Sequence, residues 1–195
     1  MKLSPAGPAA VADTTVTEYI ALLRAVNVAG HKPVAMAGLR ALLAELGFAD
    51  PRSLLQSGNL LFRTAAQPTV RLEQQLEAKA KKLLGLETDF FVRTAEDWRA
   101  LVARNPFRDE ARRDPGHLVA VVLREAPRPA NVSALQAAIK GRELVRGGDS
   151  HLYAVYPDGM GRSRLTNALI EKALGTRATA RNWNTVLKLA DLLVG

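Results

Sequence analysis

Two short apolar runs, Tyr19-Ile-Ala-Leu-Leu23 and Leu118-Val-Ala-Val-Val-Leu123, limit what this chain can become. Each falls far short of the roughly 20 apolar residues that a membrane helix needs. Neither alternates as a strand wetted on one side would, so each reads as a strand buried on both faces. The other elements take their places around these two strands.

After the first strand, Met36 to Leu46 has helical spacing, with Leu39, Leu42, Leu43 and Leu46 on one face and Gly47 as the stop. Arg52 to Phe62 reads as a hairpin turning at Ser57-Gly58-Asn59. Pro68 opens a helix to Leu84 whose Leu72, Leu76, Ala80 and Leu83 should face a sheet. Thr88 to Val92 is a strand, and Ala95 to Arg104 a connecting helix. The order is thus β-α-β-β-α-β. The second half follows it again: the strand ending at Leu123, a helix capped by Asn131, and a hairpin from Leu144 to Tyr156 with Gly147-Gly148 near its turn. A helix from Leu165 to Leu174, a strand from Thr176 to Arg181 and a last helix from Asn184 to Val194 complete it. Even the exits correspond, Arg93-Thr94 leading to Trp98 and Arg181-Asn182 to Trp183.

The expected fold class is therefore α+β, a tandem repeat of two ferredoxin-like halves, each with a connecting helix. Residues 1–16 are expected to form a disordered tail rather than a signal peptide. Residues 17–105 form one half, 106–116 a connector and 117–195 the other half. In a ferredoxin-like sheet of order 4-1-3-2, the end of the first strand lies beside the start of the third. That places Arg24 and Asn27 on the same edge as Gln56, Ser57 and Asn59, all able to donate hydrogen bonds to a carboxylate, a phosphate or a base edge. The same residues also suit a paired arginine and an ordinary turn.

The chain carries 27 Lys and Arg against 19 Asp and Glu, a net charge of +8. That favours an anionic partner. The excess is spread along the chain, +3 over residues 18–94 and +5 over 95–195, with no basic tail. With no cysteine, thiolate catalysis, disulfides and cysteine–zinc sites are excluded, and a cytoplasmic setting fits. Mean hydropathy near zero is that of a soluble globular protein.

The segments Leu22-Leu-Arg-Ala-Val-Asn-Val-Ala-Gly30, Met36-Ala-Gly-Leu-Arg40, Leu46-Gly-Phe48 and Gln56-Ser-Gly-Asn59 resemble a bacterial family named domain of unknown function 1697. So do Asn105-Pro-Phe107, Tyr156-Pro-Asp-Gly159, Arg162-Ser-Arg-Leu165 and Arg181-Asn-Trp-Asn-Thr185, which carry the resemblance over residues 17–193. This chain has Pro33-Val-Ala-Met36 where members usually have Lys-Val-Pro-Met, and Arg164 where many have lysine. The resemblance implies a two-part α/β protein of ferredoxin-like character and no particular activity.

No catalytic residue is assigned. His31, His117 and His151 lack metal-ligand spacing, and no nucleophile elbow, P-loop or zinc-protease motif occurs, so neither metal nor cofactor is expected. Two further stretches hold candidate binding residues. In Asp158-Gly-Met-Gly-Arg-Ser-Arg-Leu165, a loop enters a helix, and Arg162 and Arg164 would suit a phosphate, although Ser163 also reads as a plain helix cap. In Arg181-Asn-Trp-Asn-Thr185, Trp183 beside Arg181, Asn182 and Asn184 would stack and read a base. Trp183 equally suits a plug between the halves, with Asn184 or Thr185 capping the helix. The expected function is non-catalytic binding of an anionic ligand, a nucleotide or single-stranded nucleic acid. The alternatives are an enzyme acting on a small phosphorylated or carboxylated substrate, and a structural or partner-binding module. The sequence leaves the oligomeric state open.

Overall fold

A computed structural model describes residues 15–24 and 35–193. Among them are two four-stranded antiparallel sheets, seven α-helices and one 3-10 turn. The first sheet holds β1 (Val16–Leu23), β2 (Ala49–Leu54), β3 (Asn59–Ala65) and β4 (Phe90–Thr94) in the order β2-β3-β1-β4. The second holds β5 (Leu118–Leu123), β6 (Leu144–Gly147), β7 (His151–Val155) and β8 (Ala178–Asn182) in the order β6-β7-β5-β8. The apolar runs thus became β1 and β5, each central in its sheet.

Alternate residues of these strands enter different cores. Tyr19, Ala21 and Leu23 of β1 point towards α1 (Met36–Glu45) and α2 (Thr69–Leu84). Ile20 and Leu22 point the other way, into a cluster that both sheets share. That middle layer takes Leu61 and Phe91 from the first sheet and Leu118, Ala120, Val122 and Tyr153 from the second. Between them lie Trp98 and Leu101 of α3 (Ala95–Ala103) and Trp183, Val186 and Leu189 of α7 (Trp183–Asp191). The outer face of β5, at Val119, Val121 and Leu123, packs on α5 (Pro129–Ala138) and α6 (Asn167–Leu174). With residue period two and cover on both sides, a strand of this kind is apolar at every position.

Several local expectations change. Leu83 is 43% exposed, not turned to the sheet. The 16 residues of α2 span roughly 24 Å against about 17 Å for the 5 residues of β4, so the last turn overhangs. Its buried face carries Glu73 instead. The stop at Gly85 is a left-handed cap (φ 60°), as is Gly175 (φ 70°) after α6, a conformation that costs a residue with a Cβ. The stretch read as a connector contains a short helix, α4 (Arg108–Arg113). Asn131 is not a cap: α5 begins at Pro129, after Arg128. The tail expected over residues 1–16 lies outside the described residues up to position 14, and Val16 already belongs to β1, opposite Ala65.

His151 opens β7 edge-on to Tyr153, their ring centroids 4.8 Å apart, and its buried Nε2 has no hydrogen-bond partner among the described residues. Burial, helped by the cation of Arg93, pushes its pKa down to about 4. The folded protein therefore holds it neutral, whereas the unfolded chain protonates it near the usual 6.5. Its contribution is intact above about pH 6.5 and is lost progressively as pH falls towards 4, up to about 3 kcal/mol. Urea midpoints of wild type and His151→Phe should diverge across that window, the wild type losing more. A difference that stays constant with pH would assign the acid sensitivity to other groups.

Candidate functional site

The hairpin between β2 and β3 turns through Leu55 and Gly58, which take the positive φ values of 58° and 69°. Asn59 is therefore not a turn residue. It starts β3 opposite Leu22, fully buried, and its Nδ2 donates to Ser57 Oγ (2.7 Å) and Leu54 O (3.1 Å). Its Oδ1 accepts a 2.5 Å bond from Nε of Arg181, which reaches across from β8. The same guanidinium donates to Leu23 O (2.9 Å), Ser57 O (3.2 Å), Ala180 O (2.8 Å) and Thr179 Oγ1 (2.9 Å). Among the described residues, all its acceptors are uncharged. Desolvation lowers its pKa to about 10, so at neutral pH it remains a cation deep in the junction.

The junction is linked in the other direction too. Arg93 of β4 donates to Leu123 O, at the end of β5, and to Ser150 O before β7 (3.2 Å). Arg24 follows β1 and pairs with Glu171 of α6 (2.8 Å) and Asp89 (3.4 Å), while Arg177 also pairs with Asp89. Arg124 follows β5 and pairs with Glu77 (2.5 Å) and Glu73 (3.2 Å) of α2. Glu171 accepts from Ala178 N and Glu77 from Phe90 N, each binding the strand beside its helix. Burial raises the pKa of Glu73, but its carboxylate is engaged by Val92 N and Arg124 and faces no open site.

Ser57, Asn59 and Arg181 are thus in direct contact, and Arg24 lies beside them in a separate ion-pair network. Gln56 is exposed on the hairpin tip, and Asn27 lies outside the described residues. Trp183 is buried in the middle layer, 6.3 Å from Tyr153 between ring centroids, where no base can stack on it. Asn182, rather than Asn184 or Thr185, caps α7 by accepting from Thr185 N (2.9 Å); Asn184 is exposed. The polar cluster read from the sequence is, in these contacts, part of the joint between the sheets.

Arg162 and Arg164 sit elsewhere, at a groove of about 810 Å³ between α5 and α6. Its floor is apolar, with Leu135 and Leu165 buried and Leu169 44% exposed. Two loops form its rim, residues 139–143 and 158–164, and two links tie them together. Arg142 donates twice to Asp158, and Ser163 Oγ donates to Glu143 Oε1 while accepting from Leu165 N (2.9 Å). Ser163 is therefore a loop clamp, and Thr166 is the cap of α6. Of the four rim cations, Arg142 is matched by a carboxylate; among the described residues Lys140, Arg162 and Arg164 are in no ion pair, although Arg162 is near enough to add to the lowering of the Asp158 pKa. The bond from Arg142 holds the Asp158 carboxyl below its usual range, and burial pushes Tyr156, whose hydroxyl donates to Leu165 O, up to about 12. Neither suits proton transfer near neutral pH.

Lys140, Arg142 and Glu143 had no motif to mark them. Arg93 and Arg124 had one: they stand before a helix cap and after an apolar strand, as Arg181 and Arg24 do.

The family described as "Protein of unknown function (DUF1697)" matches residues 16–153, from the start of β1 into β7. The chain belongs to this family. The match ends before Tyr156, so the three later segments of the expected resemblance, including Arg162, Arg164 and Arg181, lie beyond it. No curated protein matches the sequence. Among solved structures, the conserved bacterial protein SP0830 from Streptococcus pneumoniae is similar at 22% identity with a TM-score of 0.71, over 91% of this chain and 98% of that one. At that identity the likeness speaks for the fold. No helix among the described residues is long and apolar enough to cross a membrane, and they contain no group of side chains suited to a metal ion.

Proposed function

We propose that this family member binds a small anionic ligand, without transforming it, in the groove between α5 and α6. The supporting observation is the imbalance at the rim: the carboxylates Glu143 and Asp158 are spent on clamping the loops, leaving Lys140, Arg162 and Arg164 for a ligand. Guanidinium groups suit phosphate and carboxylate in particular. The volume is that of a small-molecule site. Single-stranded nucleic acid is the weaker form of the reading, since no aromatic side chain lines the groove to stack bases. In this proposal the chain is two ferredoxin-like units, 17–105 and 117–195, acting in the cytoplasm. The two matching strand orders and the two-way arginine contacts support that division.

The test is calorimetric titration with inorganic phosphate, nucleoside monophosphates and small phosphorylated or carboxylated metabolites. The double variant R162A/R164A should weaken any binding tenfold or more, since a charged hydrogen bond contributes about 1.5–3 kcal/mol. Lys81→Ala, which removes a cation paired with Glu87, should leave binding unchanged. Equal affinity in the double variant and the wild type would overturn the proposal.

A further inference from the structure

Resting on that reading of the groove, we infer that the uncharged part of its ligand is an aliphatic chain: the site takes a free medium-chain acyl or alkyl anion, its carboxylate or phosphate at the rim. Outside the rim loops the lining is aliphatic apart from Asn131: Leu135, Leu165 and Leu169 supply the floor, with Ala134, Ala138 and Ala173 keeping the helices' facing surfaces low. Leu169 leaves 44% of its surface open in this groove, in a helix whose Ile170 and Leu174 are buried. An aliphatic chain laid between α5 and α6 would cover it.

A nucleoside fits less well. Of the lining side chains away from the rim loops, Asn131 alone is polar, and Ser163 on the rim is already used as both donor and acceptor. A base edge placed over Ala134 and Leu165 would lose its bonds to water and gain few in return. An acyl chain has no such groups to satisfy. Charge is arranged to match: the three unpaired cations stand on the two loops at the groove's margin, leaving the apolar floor to the chain. Charge complementarity at one end and apolar cover at the other fix both the orientation and the chemical class.

Titration of the full chain with hexanoate, octanoate, decanoate and octyl phosphate, all below their micelle-forming concentrations, tests this. Inorganic phosphate, adenosine monophosphate and phosphatidylglycerol vesicles serve as the other arms. Each methylene added should tighten binding about fourfold until the chain outgrows the groove. R162A/R164A should weaken the whole series by a common factor of ten or more and leave the increment per methylene intact. Leu169→Glu, at an exposed position, should flatten the chain-length dependence without lowering the unfolding midpoint appreciably.

A flat series, with adenosine monophosphate or phosphate binding in a manner that depends on Arg162 and Arg164, would overturn this inference and keep the anion-binding reading. Chain-length dependence indifferent to the arginine pair would overturn both, leaving an apolar groove. Binding to vesicles but to no free amphiphile would replace the free ligand with a membrane surface. No binding in any arm would overturn both.

Discussion

Replacing Trp98 by alanine is expected to destabilise the protein by about 3–5 kcal/mol, as truncating a buried indole does elsewhere. Trp98 is fully buried in the middle layer, and its Nε1–H donates to Val186 O of α7 (3.1 Å). The substitution would open a cavity between the sheets and remove the bond that ties α3 to the Val186 carbonyl of α7. Trp98→Phe keeps most of the apolar surface and loses only the bond, so its expected loss is about 1–2 kcal/mol above the small volume change. Urea denaturation would measure both through the midpoint, with the slope unchanged if unfolding remains a single transition. A loss under about 1 kcal/mol for the alanine variant, in the range of an ordinary surface change, would mean that the sheets do not depend on a common core.

Arg181→Ala should cost a similar amount, about 3 kcal/mol or more, for a different reason. It removes little apolar area. It leaves Asn59 Oδ1 buried and the half-buried Ser57 carbonyl without the donor they share, and Leu23 O, among the described residues, with the 3.3 Å bond from Thr179. Arg181→Met separates the two opposing effects: it relieves the burial of a cation but orphans the same acceptors. Its loss should be smaller than that of the alanine variant, and not zero. In a double-mutant cycle with Asn59→Ala, the coupling should be about 2 kcal/mol, the range of a charged hydrogen bond. Additive losses at these two positions would remove the Arg181–Asn59 bond from the account of the joint.

Much of the fold was legible because its strongest signals are local. The runs at Tyr19–Leu23 and Leu118–Leu123 fixed the central strands, and glycines after α1, α2 and α6 marked true helix ends. Burial at single positions was less readable. Leu83 has the right helical phase but lies past the end of the sheet, and Glu73 is buried because Val92 N and Arg124 wait for it. Phase along a helix is written in the sequence, whereas the length of what it covers depends on another element. The candidate site divided on the same ground. Strand order brought Arg24, Ser57 and Asn59 to one edge, but their partners Glu171 and Arg181 come from residues more than a hundred positions away. The rim of the groove was half visible: the Arg162 and Arg164 loop stood out as glycine- and arginine-rich, while the opposing Lys140–Glu143 loop has no motif until the fold sets the two together.

A middle layer held in common has a consequence for synthesis. When β1 to β4 have left the ribosome, one side of that sheet can close over α1 and α2 at once. Its other side, with Ile20, Leu22, Leu61 and Phe91, has α3 and the short stretch around Phe107 and Ala111 to lie against until residues 118–193 exist. At about 5–20 residues per second, that wait lasts several seconds. For that interval the nascent chain displays a sticky apolar face, and the first half of the polypeptide is a natural client for chaperones although its own sheet is already paired.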